Sequence, residues 1–118
     1  MADVLVVEDD KDLVYIYRTA LAQAGHQVEM ARNAQEALAV LQQATPDLVF
    51  LDMNMPDENG TRVIEYIHSN GRLRQTQIVV ITADDQWRKR IKTGKIARFL
   101  VKPVRIADLI SLARQLVG

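Results

Sequence analysis

Apolar residues follow two rhythms along this chain: short unbroken runs, and longer stretches in which they recur every three or four positions. Val4-Leu5-Val6-Val7, Leu48-Val49-Phe50-Leu51 and Ile78-Val79-Val80-Ile81 are runs of β-formers without a polar break. Such runs predict strands buried on both faces of a parallel sheet. Gln27-Val28-Glu29-Met30-Ala31 alternates instead, which predicts a shorter strand near the sheet edge. Arg98-Phe99-Leu100-Val101 predicts a last strand, ended by Lys102-Pro103.

The stretches between them carry the helical period. Leu13, Ile16, Tyr17, Ala20, Leu21 and Ala24 precede a Gly25 stop. Asn33 caps a helix carrying Ala37, Leu38 and Leu41, which ends before Thr45-Pro46. Val63, Ile64 and Ile67 mark a third helix, stopped by Asn70-Gly71; Trp87 and Ile91 mark a short fourth before Gly94. Ile106, Leu109, Ile110, Ala113, Leu116 and Val117 mark the last. Five strands alternating with five helices predict an α/β fold, a doubly wound parallel sheet with right-handed crossovers and helices on both faces. No repeat, linker or low-complexity stretch interrupts residues 1–118, which are expected to form one domain.

Composition narrows the function classes. At 48% hydrophobic and 25% charged, the chain reads as an ordinary globular domain. Fifteen Lys and Arg balance fifteen Asp and Glu, so no global charge draws it to nucleic acid or membrane. The absence of cysteine excludes disulfides, thiolate metal sites and cysteine nucleophiles. Met1-Ala2-Asp3 has no basic leader and the first apolar run is too short to span a bilayer, so a cytoplasmic location without membrane contact is expected. His26 and His68, near element ends, lack metal-ligand spacing and are expected to be exposed or capping.

The chemistry gathers where the buried strands end. The first ends at Glu8-Asp9, the third at Asp52, the fourth at Thr82 and the fifth at Lys102. In a parallel sheet these ends share one edge, where ligands of open α/β folds bind. Three carboxylates brought together do not all ionise cheaply without a cation, and an all-oxygen set suits Mg²⁺, which keeps several waters for a phosphate to displace. Lys102 adds a point positive charge and Thr82 a hydroxyl donor. Each residue alone has a plain explanation as an acidic loop, a cap or a rim lysine; their joint placement on strand ends does not.

Glu8-Asp9 after a Val-Val strand, Asp52 followed by Met53-Asn54-Met55-Pro56, Gly60, Thr82-Ala83 and Lys102-Pro103 together resemble the receiver domain of two-component response regulators, over essentially the whole chain. The resemblance implies a flavodoxin-like sheet in the order 2-1-3-4-5. It implies that Asp52 accepts a phosphoryl group from a sensor histidine kinase or a histidine phosphotransfer protein. Asp9, Asp52 and the backbone carbonyl of Asn54 would hold Mg²⁺ (or Mn²⁺ in its place), with Glu8 acting through a water. Lys102 would pair with the phosphoryl oxygens and Thr82 would hydrogen-bond one of them. Thr82 and Phe99 would form the switch that remodels the face of the fourth helix, fifth strand and fifth helix for a downstream output protein or domain. Asn54 and Asp84 would tune the phosphoryl lifetime. The domain would be no enzyme beyond catalysing its own phosphorylation and dephosphorylation.

The stretch from Thr82 to Lys102 is somewhat short for this family. It holds Arg88, Lys89, Arg90, Lys92, Lys95 and Arg98, read mainly as a solvated helix, with Trp87 as a candidate partner anchor. Without a recognition motif, these charges do not predict nucleic-acid binding. A haloacid-dehalogenase-type phosphatase also uses an aspartate nucleophile, but carries Asp-x-Asp on its first strand. Here the motif follows the third strand, and Asn54 replaces the second acid. No glycine-rich phosphate loop supports a nucleotide binder. A pseudo-receiver that never accepts phosphate is the other alternative, and the complete constellation argues against it.

Overall fold

The computed structural model of the chain describes residues 2–54, 60–83, 91 and 96–118. Five parallel strands form one sheet in the order β2-β1-β3-β4-β5, with β1 at Asp3–Val7, β2 at Gln27–Ala31, β3 at Leu48–Asp52, β4 at Gln77–Thr82 and β5 at Ile96–Val101. This is the flavodoxin-like order that the family resemblance implies. Helices α1 (Lys11–Gln23), α2 (Ala34–Gln43), α3 (Gly60–Ser69) and α4 (Ile106–Val117) pack around it. The expected fourth helix, with Asp84 and Trp87, lies outside the described residues, as do the Pro56 to Asn59 turn and the basic residues between Arg88 and Lys95; α4 here is the last helix.

Strand periodicity sorts the core into two layers. Leu5, Val7, Val49, Leu51, Ile78 and Val80 face α2 and α3, packing on Ala37, Leu41, Val63 and Ile67. Their neighbours Val4, Val6, Leu48, Phe50, Val79 and Ile81 face α1 and α4, packing on Tyr17, Leu21, Leu109 and Ala113. Both faces of β1 and β3 are therefore buried, which is why those strands read as unbroken apolar runs. The last strand begins two residues earlier than expected, because a register shift between Ile78 and Val79 of β4 skips Ala97 and breaks the alternation there.

The helix ends are set by local chemistry. Asp10 caps α1, its carboxylate accepting from the Asp12 and Leu13 N–H groups at 2.9 and 3.2 Å. Gly25 closes that helix at φ 97°, with its N–H donating to the Ala22 carbonyl and the His26 N–H to Leu21. His26 thus caps through its backbone as expected, but its side chain is buried, since the chain turns directly from this cap into β2. At α2, Asn33 accepts from the Glu36 N–H at 2.8 Å and the Glu36 carboxylate accepts from the Arg32 N–H at 2.9 Å. Asn70-Gly71 ends α3 by opening a 3-10 turn over Gly71–Leu73, in which Asn70 accepts from the Arg72 N–H at 3.2 Å.

Arg72 then supplies what α2 lacks. The last turn of α2 holds no basic residue, and the Arg72 guanidinium donates to the Leu41 carbonyl and, at 3.0 Å, to the Ala44 carbonyl. A cation at a helix C-terminus satisfies orphan carbonyls and complements the dipole. Arg72→Ala is expected to cost about 1–2 kcal/mol, seen as a lower urea midpoint at unchanged slope. A loss below ~0.3 kcal/mol would mean that solvent replaces both contacts.

Candidate functional site

The carboxyl ends of β1, β3, β4 and β5 meet at one edge, and backbone bonds just past each strand fix what stands there. The Glu8 N–H continues the β1–β2 ladder to Ala31 at 2.9 Å, Met53 N–H reaches the Ile81 carbonyl at 2.9 Å, and Lys102 N–H reaches Thr82 at 2.8 Å. Gly60 opens α3 hard against this edge, where a Cβ would stand 2.6 Å from the Met53 sulfur, one residue beyond Asp52.

Glu8, Asp9 and Asp52 come together as expected: one carboxylate oxygen from each lies within 4.8 Å of the others. Glu8 and Asp52 are almost fully buried, whereas Asp9 is exposed and opens the cluster to solvent. Lys102 reaches in from the end of β5, its Nζ 3.1 Å from Asp52 Oδ2 and 3.3 Å from Glu8 Oε1. The Asp52 contact is a hydrogen bond; Glu8 Oε1 takes the ion pair without one and has no other hydrogen-bond partner. The remaining Asp52 oxygen accepts from the Asn54 N–H at 2.9 Å. The Lys102–Pro103 peptide is cis.

The electrostatics follow from this crowding. Burial, with the adjacent Asp52 carboxylate adding to it, pushes the Glu8 carboxyl up from 4.5 to about 7. Burial alone pulls the Lys102 ammonium down, but Asp52 and Glu8 outweigh it and hold the amine above its usual value. Two buried carboxylates thus share one lysine, and an oxygen of Glu8 is left without a donor. Such a donor set fits a hard, oxygen-seeking divalent cation.

Thr82 is buried at the end of β4, and its hydroxyl donates to Asn54 Oδ1 at 3.0 Å. The Ala83 N–H donates to that same oxygen at 2.6 Å. The backbone donor of Ala83 and the reach of the Asn54 side chain were not expected from the sequence; both depend on the β3–β4 register that sets Asp52 beside Ile81. Phe99 is half-buried on β5, packed with Ile91 against the α2/α3 layer. Tyr17, a core position in the helical pattern of α1, is buried and lines a cavity of about 320 Å³ with Leu13, Lys102, Pro103 and Val104. Burial, then the charge of Glu8, raises its phenol above the ordinary value. Among the described residues, no helix is long and apolar enough to cross a membrane.

Comparison with known proteins bears out the family and the fold. Residues 4–114 match the model of the response regulator receiver domain family. The polar-differentiation response regulator DivK of Brucella anthropi is 25% identical, over 98% of this chain and 95% of its own. The transcriptional regulatory protein PhoP of Escherichia coli is 31% identical over 97% of this chain, which spans 51% of PhoP. The response regulator TrrA of Thermotoga maritima, solved in complex with Mg²⁺ and beryllofluoride, superimposes with a TM-score of 0.86 at 26% identity, covering 99% of this chain and all of that one.

Proposed function

The chain belongs to the response regulator receiver domain family, and from that premise we propose that residues 1–118 are one phosphoacceptor domain in which Asp52 takes a phosphoryl group from the phosphohistidine of a sensor histidine kinase or phosphotransfer protein. The observation that carries this reading is the pairing of a buried aspartate with Lys102 Nζ at 3.1 Å beside two further carboxylates, at the open end of a parallel sheet.

In the proposed transfer an Asp52 oxygen attacks phosphorus, forming a P–O bond as the P–N bond to the donor imidazole breaks and its electron pair returns to nitrogen. The Asn54 N–H on Oδ1 and the lysine on Oδ2 orient the carboxylate for that attack. Lys102 passes from Asp52 to a phosphoryl oxygen, offsetting charge where it develops. Asp9, Asp52 and the Asn54 carbonyl would hold Mg²⁺, with Glu8 acting through water; when bound, the ion neutralises the carboxylates and the incoming phosphoryl oxygens. Mn²⁺ would fit the same oxygens. Thr82 then hydrogen-bonds the phosphoryl group, and Phe99 turns toward the space it leaves. That movement remodels the neighbouring surface for an output protein or domain. Asn54, together with Asp84, would govern hydrolysis of the acyl phosphate, and no other enzymatic turnover is assigned. The position of Asp52 on the central strand β3 argues against the haloacid-dehalogenase reading, which needs its nucleophile on the first strand.

Intact mass after incubation with acetyl phosphate tests the reading. A phosphoryl adduct that requires Mg²⁺ and disappears in Asp52→Asn is expected. No adduct on the wild type, together with no response to beryllofluoride, would leave the pseudo-receiver.

Protonation of Glu8 gives a pH dependence. A cation needs the ionised carboxylate, so Mg²⁺ affinity is expected to rise with pH up to about 7 and then level off. Without metal the sign reverses for stability. The raised folded-state value means that the Glu8 contribution is fully present below 4.5 and is lost as pH climbs through about 7. Thermal melts in chelator should therefore show a decline from pH 5 to 7.5 that Glu8→Gln flattens; parallel curves for the two proteins would refute this.

A further inference from the structure

Asn54 leaves the end of β3 two residues past Asp52 and sends its side chain across to the end of β4. Its Oδ1 accepts from the Thr82 hydroxyl at 3.0 Å and from the Ala83 N–H at 2.6 Å, while its own N–H donates to Asp52 Oδ1 at 2.9 Å. The backbone amide of Ala83 has only a proton to offer, so the oxygen of the Asn54 amide must face this pair. Two donors, Thr82 at the end of β4 and Ala83 just beyond it, therefore converge on one acceptor, held next to the carboxylate that would carry the phosphoryl group. The plain reading of Asn54 is a turn residue satisfying its own backbone. Its side chain instead bonds groups 28 and 29 positions away.

We propose that the Asn54 side chain is a placeholder for a phosphoryl oxygen. In the resting protein Oδ1 occupies the acceptor position of the Thr82 hydroxyl and Ala83 N–H, and phosphorylation of Asp52 evicts it; this rests on Asp52 being the phosphoacceptor. The exchange has a direction. An anionic phosphoryl oxygen is a stronger acceptor than a neutral amide, so the donors transfer once it is present and return to Asn54 after hydrolysis. A neutral side chain is also the form the site tolerates, since an aspartate at position 54 would add a fourth carboxylate beside Glu8, Asp9 and Asp52. Asn54 is thus a positioning residue: it keeps the two donors ordered and sets how strongly a phosphoryl oxygen must compete for them.

Beryllofluoride with saturating Mg²⁺ stands in for the phosphoryl group, and its affinity is compared between wild type and Asn54→Ala. Asn54 is exposed, so the substitution removes the acceptor without opening a core cavity. Affinity is expected to tighten about tenfold in the variant, the equivalent of releasing roughly one to two net hydrogen bonds. The second readout is the Ala83 amide proton, which separates an exchanged acceptor from a bond to Asn54 kept in both states. It should shift upfield in ligand-free Asn54→Ala and coincide in both proteins once beryllofluoride is bound. Equal or weaker affinity in the variant, or an Ala83 resonance unmoved by the substitution, would overturn the placeholder. Failure of the wild type itself to bind beryllofluoride would instead overturn the reading of Asp52, and the placeholder with it.

Discussion

Lys102→Ala is expected to slow Mg²⁺-dependent phosphorylation of Asp52 by acetyl phosphate by about 10²–10³-fold, the range found when one preorganised charge-stabilising donor is removed from an active site. The lysine is the cation that the buried pair of Asp52 and Glu8 shares, at 3.1 and 3.3 Å. No other described side chain forms an ion pair with either carboxylate. The same substitution should leave Mg²⁺ affinity undiminished or raise it, because the ammonium competes with the metal for these oxygens. Stopped-flow phosphorylation and a Mg²⁺ titration separate the two effects. A loss of rate that merely follows a loss of metal binding would mean that Lys102 acts by holding the acidic cluster together rather than by meeting the phosphoryl group.

The second large effect is in the core. Phe50→Ala is expected to destabilise the domain by about 3–5 kcal/mol, since it removes a wholly buried ring and leaves a cavity. Phe50 lies on the central strand two residues before Asp52, in the layer formed with Tyr17, Leu21, Leu109 and Ala113 of α1 and α4. Against a total of roughly 5–15 kcal/mol for a domain, such a loss takes a large share and should appear as a much lower urea midpoint. A cost below ~1.5 kcal/mol would show that α1 and α4 close onto the sheet and fill the void. At temperatures where the variant remains folded, β3 should still present Asp52, so phosphorylation per folded molecule should change far less than stability.

What the sequence revealed depended on how local each cause was. The strands β1 and β3 were legible because burial on both faces leaves no polar residue in their runs, and once their ends were known, Glu8, Asp9, Asp52, Thr82 and Lys102 fell on one edge. The beginning of β5 was hidden by the skip at Ala97, a register event that leaves no mark in composition. Arg72 reads as a surface charge until α2 and the 3-10 turn are side by side, since its acceptors lie 28 and 31 positions away. His26 shows the opposite case: the glycine before it announced the helix stop, but not that the ring would be carried inside. Only the family resemblance suggests a role in the lifetime of the phosphoryl group for Asn54. Its actual partners, Thr82 and Ala83, became visible only when the register of β3 against β4 was known.

Burial across the sheet has a dynamic consequence. β3 has a strand on either side and is buried at all five positions, while β5 is paired within the sheet only to β4 and none of its residues is fully buried. Segments with few buried contacts open at the low end of the free-energy range, and doubly covered core strands only with global unfolding. Asp52 is therefore anchored in a strand expected to be among the last to exchange its amide hydrogens, whereas Phe99 lies on, and Lys102 just beyond, an edge strand expected to exchange earlier. If Asp52 gains the proposed phosphoryl charge, that change is expected to loosen or tighten the edge strand while the strand beneath the carboxylate stays closed.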